Sequence, residues 1–168
     1  KPKEKNYVLV YQLHNNREFN KYAKAFAKYH HKKLIRISTS LYHIVRGGKF
    51  VYLPTQYEFL SYFANADYIL TDSFHATVFS IIFNTKFKNI LPRDTGTRII
   101  SILELVGLQD RVLKSYDDFV SIDENIDYDK VNSIIKKERI QSLKDLSEAI
   151  GEREKNIYAI GIHKKCSG

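Results

Sequence analysis

The stretch "ILTDSFHATVFSIIF", from Ile69 to Phe83, determines which fold the chain can adopt. A short apolar run ends at the polar residues 71–73, and a second, longer apolar run begins beside a histidine, His75. The first run is typical of a strand buried on both faces, and the second is typical of a short buried helix. Ser73 is a favourable N-cap for that helix. The stretch therefore predicts a strand–turn–helix unit with His75 in the first helical turn.

The rest of the chain repeats this alternation of strands and helices. The predicted strands are Tyr7–Leu13, Lys33–Ser38, Lys49–Leu53, Tyr68–Thr71 and Lys86–Leu91. The predicted helices cover about Arg17–His30, Thr55–Asn65, Phe74–Phe83 and Thr97–Val106, and two more polar ones follow at about Tyr128–Arg139 and Gln141–Ile150. The segment 39–48 is predicted to be a loop. Tyr57 is expected to point inward from the second helix, and His30 is expected to be solvated at the end of the first. The order of strands and helices predicts an α/β fold, a Rossmann-like three-layer sandwich with a mainly parallel sheet of five to six strands.

Length and composition predict one Rossmann-like domain over residues 1–150 and a C-terminal tail over residues 151–168. The chain has 168 residues, of which 43% are hydrophobic, and no apolar run is long enough to cross a membrane. The lone cysteine, Cys166, cannot form an internal disulfide, which favours a reducing, cytoplasmic location. Because the first residue is Lys1 rather than Met, we interpret the chain as part of a longer protein.

The positive charge is concentrated at the start of the chain. Residues 1–50 contain twelve Lys and Arg against two acidic residues, a balance of +10, whereas the whole chain carries +8. Such a region could bind nucleic acid, a membrane surface or an anionic small molecule. Lys21, Lys24 and Lys28 recur at helical spacing, which favours the solvated face of an amphipathic helix. The sequence contains no zinc-finger spacing or RNP-like aromatic pattern, so nucleic acid is not an expected partner.

The carboxyl edge of the predicted sheet is where a ligand is expected. In open parallel sheets ligands bind outside the carboxyl ends of the strands, near helix N-termini whose free N–H groups attract anions. His75 lies at such a position and could donate a hydrogen bond to an anion or transfer a proton. The alternative is a histidine that only packs or caps. His14 follows the first strand and could face the same cleft.

Arg98 is the second candidate for an anion contact. It lies in the first turn of a helix, beside Gly96, whose bare backbone would let a ligand come close. The alternative is a solvated arginine, and Arg93 is a weaker candidate. Asp72 could orient His75 or cap the turn, and Glu58 could act chemically although it already completes a capping box with Thr55.

The sequence around His75 resembles that of the polysaccharide pyruvyl transferase family. The similar stretches are "EFLSYFANADYILTDSFHATVFSIIFNTKF" and "TRIISILELVGLQDR". The resemblance extends over about residues 54–111, and over residues 7–38 by pattern only. Members show a helix ending in Ala-Asp, a strand, Thr-x-Ser-Phe-His-Gly-Thr and a helix similar to "FSIIF". This chain differs in having Ala76 where the family usually has Gly, and Lys86 where Pro is common.

The resemblance implies the C-terminal, donor-binding half of a GT-B-like enzyme of bacterial exopolysaccharide biosynthesis. Such enzymes transfer a pyruvyl group from phosphoenolpyruvate to a sugar hydroxyl of a cell-surface or exopolysaccharide. His75 would then be catalytic, contacting the donor or protonating its methylene carbon, and Ser73 and Thr77 would bind phosphate or carboxylate oxygens. Arg98, Gly96 and His14 complete the substrate-binding set. No cofactor or metal is implied, and the saccharide acceptor would bind through a missing N-terminal half, so this chain alone is expected to be inactive.

The tail "IYAIGIHKKCSG" suggests a new strand that ends at Cys166. A Cys-x-x-Cys-x-x-Cys run would begin in this way, so an iron–sulfur module could follow in the parent protein. The alternative is a surface tail with a single cysteine.

Two other functions remain open from sequence. The chain could be half of a GT-B glycosyltransferase that uses a sugar nucleotide. It could also be a non-catalytic basic binding module, whose binding would depend on the first fifty residues and not on His75.

Overall fold

The computed structural model describes residues 4–92 and 96–163. The chain divides into two compact units, residues 1–128 and 129–168. The first unit contains a five-stranded sheet in the order β3-β2-β1-β4-β5, with every neighbouring pair parallel. The strands are β1 (Tyr7–Tyr11), β2 (Lys33–Ser38), β3 (Lys49–Tyr52), β4 (Tyr68–Thr71) and β5 (Lys86–Asn89). The predicted α/β class, Rossmann-like with a parallel sheet, is confirmed.

Helices connect the strands and cover both faces of the sheet. In the first unit they are α1 (Arg17–Tyr29), α2 (Gln56–Ala64), α3 (Phe74–Ile82) and α4 (Thr97–Val106), and α5 (Tyr128–His163) follows in the chain. Short 3-10 helices occupy Leu41–Arg46, Gln109–Arg111 and Ser121–Asp123. The predicted loop over 39–48 is therefore partly helical. The 3-10 helix ends at Gly47, which has a φ of 76°, a conformation that glycine adopts without strain.

The alternation of side chains along β1 defines two faces of the sheet. Val8 and Val10 point to one face, where they pack with α1 residues such as Phe19; we call this the α1 face. Tyr7 and Tyr11 point to the other face, where Tyr11 lies edge-on to Phe59 of α2. Because α3 contacts both α2 and α4, these three helices share that second face, the α3 face. Opposite crossover directions explain the two layers, since α1 leads from β1 towards β2 and α3 leads from β4 towards β5.

The helix boundaries follow side-chain caps that the sequence encodes. Asn16 accepts a hydrogen bond from the Phe19 amide and so caps α1. Thr55 and Glu58 form the predicted capping box at the start of α2. Gly107 ends α4 in the left-handed conformation, with a φ of 73°. These local signals explain why the bounds of α1, α2 and α4 agree closely with the sequence prediction.

Two side chains on helices differ from the prediction. Tyr57 was expected to point inward, but it is 87% exposed. The face of α2 that packs against the sheet carries Phe63 instead, which is completely buried and contacts Tyr11. His30 was expected to be solvated at the helix end. Its side chain is only 9% exposed, and its Nε2 lies 2.7 Å from the Phe119 carbonyl oxygen. A long-range contact with the segment after β5 buries this ring, and local sequence does not reveal such a contact.

The second unit consists of α5 from Asp129 onward. The two polar helices expected here are one continuous helix, since the residues around Arg139 and Gln141 are good helix formers and no proline interrupts them. The tail was predicted to form a strand, but 157–163 is helical; short apolar runs suit either structure. The end predicted for the domain, residue 150, lies inside α5, and Cys166 lies outside the described residues. Within the described ranges no helix is both long and apolar enough to cross a membrane.

Candidate functional site

The candidate site lies at the carboxyl edge of the sheet, where β1 and β4 are neighbours. The chain leaves β1 towards β2 and leaves β4 towards β5, so the connections diverge at this point. Such a divergence opens a crevice between the two loops, which is the usual ligand position in open α/β sheets. Residues 72–75, which we call the 72–75 turn, link β4 to α3 at this crevice.

Asp72 ties the loop after β1 to the 72–75 turn. Its buried carboxylate accepts hydrogen bonds from the backbone amides of Leu13, at 2.7 Å, and His14, at 2.9 Å. The Nδ1 atom of His14 lies 3.2 Å from the same carboxylate. Asp72 therefore orients His14 and not His75, which corrects the sequence hypothesis. Because the carboxylate accepts from Nδ1–H, the Nε2 atom of a half-exposed His14 ring remains free to accept or donate a proton.

Ser73 begins α3 but does not cap it in the predicted way. Its side chain makes no capping hydrogen bond, and its Oγ is buried without a partner among the described residues. The Ser73 amide instead donates to Thr71 Oγ1 at 3.0 Å. The amides of the first turn of α3 are left without intrahelical acceptors, as at every helix start. Ser73 thus offers an unsatisfied hydroxyl beside free backbone donors.

Thr77 lies one turn further into α3 and is completely buried. Its hydroxyl lies 2.8 Å from the Ser73 carbonyl oxygen and 2.6 Å from the Asn89 side chain. Both neighbouring atoms are acceptors, the Ser73 carbonyl oxygen and Asn89 Oδ1, so the Thr77 hydroxyl donates its single proton to one of them at a time. Thr77 is therefore engaged inside the protein. It fixes the start of α3 and does not itself reach the surface.

His75 and Arg98 both lie close to the Phe74 ring. His75 is exposed, and its ring centroid is 5.7 Å from that of Phe74. The Arg98 guanidinium carbon lies 5.4 Å from the Phe74 centroid, in a cation–π arrangement. The two predicted donor contacts, from α3 and α4, are therefore brought to one short stretch of surface. Phe74 is the residue that joins them, and the sequence did not single it out.

The small residues beside these side chains have specific packing. A Cβ atom on Gly96 would lie 3.0 Å from the Pro92 carbonyl oxygen. The absence of a side chain at Gly96 therefore lets the backbone of Pro92 come close. The sequence had suggested that a ligand would come close at this position. Ala76, which replaces the family's usual glycine, is fully buried. Its methyl group points into the core and leaves the surface of the 72–75 turn open.

An open pocket of about 670 Å³ adjoins His14. Asn16 and Arg17 line it at the start of α1, and Pro92 and Tyr116 line it from the segment after β5. The Asn16 side chain donates to the Tyr116 hydroxyl at 2.9 Å, which ties the two walls together. His14 is thus a predicted site residue that faces a pocket.

Other sequence candidates are placed away from this crevice or are not described. The Glu58 carboxylate is used by the capping box, where it accepts from the Thr55 amide at 2.9 Å. Arg93 lies outside the described residues. Sequence reasoning did not pair His14 with Asp72 because these residues are 58 positions apart in the chain. In the part of the chain that the structure describes, no three His, Cys, Asp or Glu side chains cluster as a metal site would require.

The fold and the site define a Rossmann-like α/β domain with free helix amides, a histidine and an arginine at one sheet edge. Residues 1–90 match the family model described as polysaccharide pyruvyl transferase. The match covers more than half of the chain, and the chain therefore belongs to this family. It includes His14, Ser73 and His75, whereas Arg98 lies beyond it. No curated protein and no solved structure matches the chain.

Proposed function

We propose that this chain forms the donor-binding part of an enzyme that transfers a pyruvyl group from phosphoenolpyruvate to a sugar hydroxyl. The single observation that carries the proposal is the exposed pair of His75 and Arg98 around Phe74, beside the N-terminus of α3. Family membership supports the reaction class. Phosphoenolpyruvate has a phosphate and a carboxylate, so it requires two neighbouring anion contacts.

The residues divide this work by their chemistry. Free amides of α3 and the helix dipole suit one anionic group of the donor. The unpartnered Ser73 hydroxyl can add a hydrogen bond there after a small rotation. Arg98 suits the second anionic group through its fork of N–H donors. Thr77 holds the turn in place from behind.

His75 is the proposed proton donor. Pyruvyl transfer adds a proton to the methylene carbon of the donor, which leaves positive charge on the adjacent carbon, and a sugar hydroxyl attacks that carbon and loses its proton. The bond from this carbon to the phosphate oxygen then breaks, and inorganic phosphate leaves as a second sugar hydroxyl, also losing its proton, closes the ketal. An exposed imidazole next to the donor can supply the proton for the methylene carbon. His14, oriented by Asp72, is a second imidazole at the same edge and is proposed to contact the substrate.

Single substitutions test the proposal. We expect His75→Ala and Arg98→Ala each to weaken phosphoenolpyruvate binding about ten- to hundred-fold in calorimetry, because each removes a contact worth roughly 1.5–3 kcal/mol. In the full-length protein His75→Ala should also lower turnover by a further factor of about 10²–10⁴. Arg98→Ala should weaken binding more than it slows saturated turnover.

His31→Asn is the matched control. His31 is an exposed histidine with a φ of 53°, which asparagine also adopts, and it lies at the opposite edge of the sheet, before β2. This variant should bind the donor like the unchanged protein. If a sugar nucleotide binds at His75 and phosphoenolpyruvate does not, the glycosyltransferase alternative is correct. If His75→Ala unfolds the domain, the histidine is structural.

A further inference from the structure

A second, strongly cationic pocket lies on the α1 face of the sheet. It has a volume of about 530 Å³ and is bounded by α1 and the 3-10 helix Leu41–Arg46. Four of its lining residues are cations, namely Arg17, Lys21, Lys24 and Arg46, and none is acidic. Lys21 is the one with an ionic partner, Glu18 at 2.9 Å on the rim of α1. Among the residues that the structure describes, no acidic side chain forms an ion pair with Arg17, Lys24 or Arg46, so the pocket concentrates positive charge.

Arg46 is the buried member of this group. Only 8% of its surface is exposed, and its guanidinium donates a long hydrogen bond of 3.4 Å to the Asn15 side chain. In residues 4–92 and 96–163 no carboxylate forms an ion pair with it. A guanidinium has five N–H donors, and burying it without an anion is costly. Its remaining accessible surface opens into the pocket.

A second buried arginine stands behind the first. Arg36 points from β2 towards α1, is 3% exposed, and donates only to carbonyl oxygens, to that of Gly47 at 2.8 Å and that of Asn20 at 3.5 Å. Burial and the charge of Arg46 lower the pKa of Arg36 to about 10. The charge of Arg46 thus acts unfavourably on Arg36, and the Asp72 carboxylate acts favourably on Arg46 without forming an ion pair with it. An anion in the pocket would relieve this repulsion.

We propose that this pocket is a binding site for a ligand that carries a diphosphate group. Arg46, Arg17 and Lys24 surround the phosphates, and the exposed ring of Tyr42 packs against the organic part of the ligand. Four cations balance a diphosphate better than a single carboxylate or phosphate monoester. The volume is in the usual range for small-molecule sites. The cations lie in a concavity rather than along a convex face, which favours a compact ligand over nucleic acid.

This pocket shares Asn15 and Arg17 with the pocket that adjoins His14, but it does not include the proposed donor contacts His75 and Arg98. It lies beside α1 and β2, whereas His75 and Arg98 belong to α3 and α4, on the other face of the sheet. The inference goes beyond the proposed function and does not depend on it. The two sites can be tested independently with different ligands.

The experiment measures binding of inorganic pyrophosphate to the 168-residue chain by calorimetry at constant ionic strength. Inorganic phosphate is the comparison ligand. We expect pyrophosphate to bind at least about ten-fold more tightly than phosphate. Arg46→Gln should weaken pyrophosphate binding about ten- to hundred-fold, and Lys24→Gln several-fold, since each removes a charge-assisted contact.

Lys28→Gln is the matched control, because Lys28 lies one turn beyond Lys24 on the same exposed side of α1 and outside the pocket lining. It should change pyrophosphate affinity less than two-fold. Arg17→Gln gives a further test at an exposed position if Arg46→Gln does not fold. Equal losses for Lys24→Gln and Lys28→Gln, or tighter binding of duplex DNA that depends equally on both lysines, would mean a diffuse basic surface. Loss of pyrophosphate binding in His75→Ala would place the anion at the donor site. Each of these results overturns the proposal.

Discussion

Asp72 makes three contacts with the loop after β1 through one carboxylate. It accepts two backbone amides and the His14 ring, so its two oxygens hold the loop after β1 against the start of α3. A neutral amide in the same place would turn an NH₂ group towards at least one of these donors. The arrangement therefore depends on the carboxylate and not only on side-chain shape.

Asp72→Asn should lower the free energy of unfolding by about 1–3 kcal/mol, because a largely buried donor loses its acceptor. Urea denaturation monitored by circular dichroism measures this change. Asp117→Asn is the control, since Asp117 is exposed and is expected to change stability by less than about 0.5 kcal/mol. Equal stability of the two variants would show that the Asp72 contacts contribute little.

His43 reports the electrostatic state of the diphosphate pocket. Its Nδ1 lies 2.7 Å from Ser38 Oγ. Burial, followed by the charges of Arg46 and Arg36, lowers the pKa of His43 below 6.5, while Asp72 opposes this shift. The folded state thus favours the neutral ring more than the unfolded state does.

The sign of the pH effect follows from that lowered pKa. Below about pH 6.5 the unfolded chain binds the proton on His43 more readily than the folded chain, so this contribution to stability decreases as the pH falls. His43→Gln should remove that part of the decrease between pH 7.5 and 5.5 in denaturant titrations. Pyrophosphate should raise the His43 pKa in an NMR titration, because the anion offsets the charge of Arg46. A pKa that does not change with pyrophosphate would count against the anion pocket.

At the scale of elements, substitutions at two glycines distinguish the cost of backbone strain from the cost of steric crowding. Both Gly48 and Gly107 have positive φ, 88° and 73°. A Cβ on Gly48 would lie 2.8 Å from the Leu34 carbonyl oxygen, whereas a Cβ on Gly107 would meet nothing within 4 Å. The same substitution therefore adds crowding at the first position only.

Gly107→Ala should cost about 1–2 kcal/mol, the usual penalty for a left-handed alanine. Gly48→Ala should cost more, because it adds a clash with the backbone at the junction of β2 and β3. Chemical denaturation of both variants gives the comparison, with the unchanged protein as reference. If Gly48→Ala were no more destabilising than Gly107→Ala, the junction would relax more easily than its close contacts indicate.

At the scale of the whole molecule, the two compact units differ in what they bury. The first unit contains the sheet and its apolar core on both faces. In the second unit, every side chain from residue 136 to residue 150 is exposed. Exposed side chains remove little apolar surface from water and therefore contribute little to stability.

A chain that ends after Lys137 should accordingly unfold cooperatively, with a melting temperature within about 3 °C of the 168-residue chain. Its far-ultraviolet helical signal should decrease while the near-ultraviolet tyrosine signal stays the same. Differential scanning calorimetry and circular dichroism measure these properties. A large loss of melting temperature would show that the removed part of α5 stabilises the sheet.

The sequence by itself determined the element order, the parallel sheet and the position of His75. These features depend on local patterns: apolar runs of strand length, the caps Asn16 and Thr55, and the polar turn before α3. Local patterns act through backbone conformation and nearest neighbours, so a single sequence can reveal them. The continuous α5 shows their limit, because a polar helical pattern without a strong stop signal does not fix an end.

Only the tertiary structure decided which distant side chains meet. It paired His14 with Asp72, brought Arg98 to the Phe74 ring beside His75, and buried Arg36 within the field of Arg46. It also engaged Thr77 inside the protein and buried His30 against the segment after β5. Each of these contacts depends on the order in which strands lie side by side and on the face that each helix covers. That arrangement is set by burial of the whole core, and no single stretch of sequence encodes it.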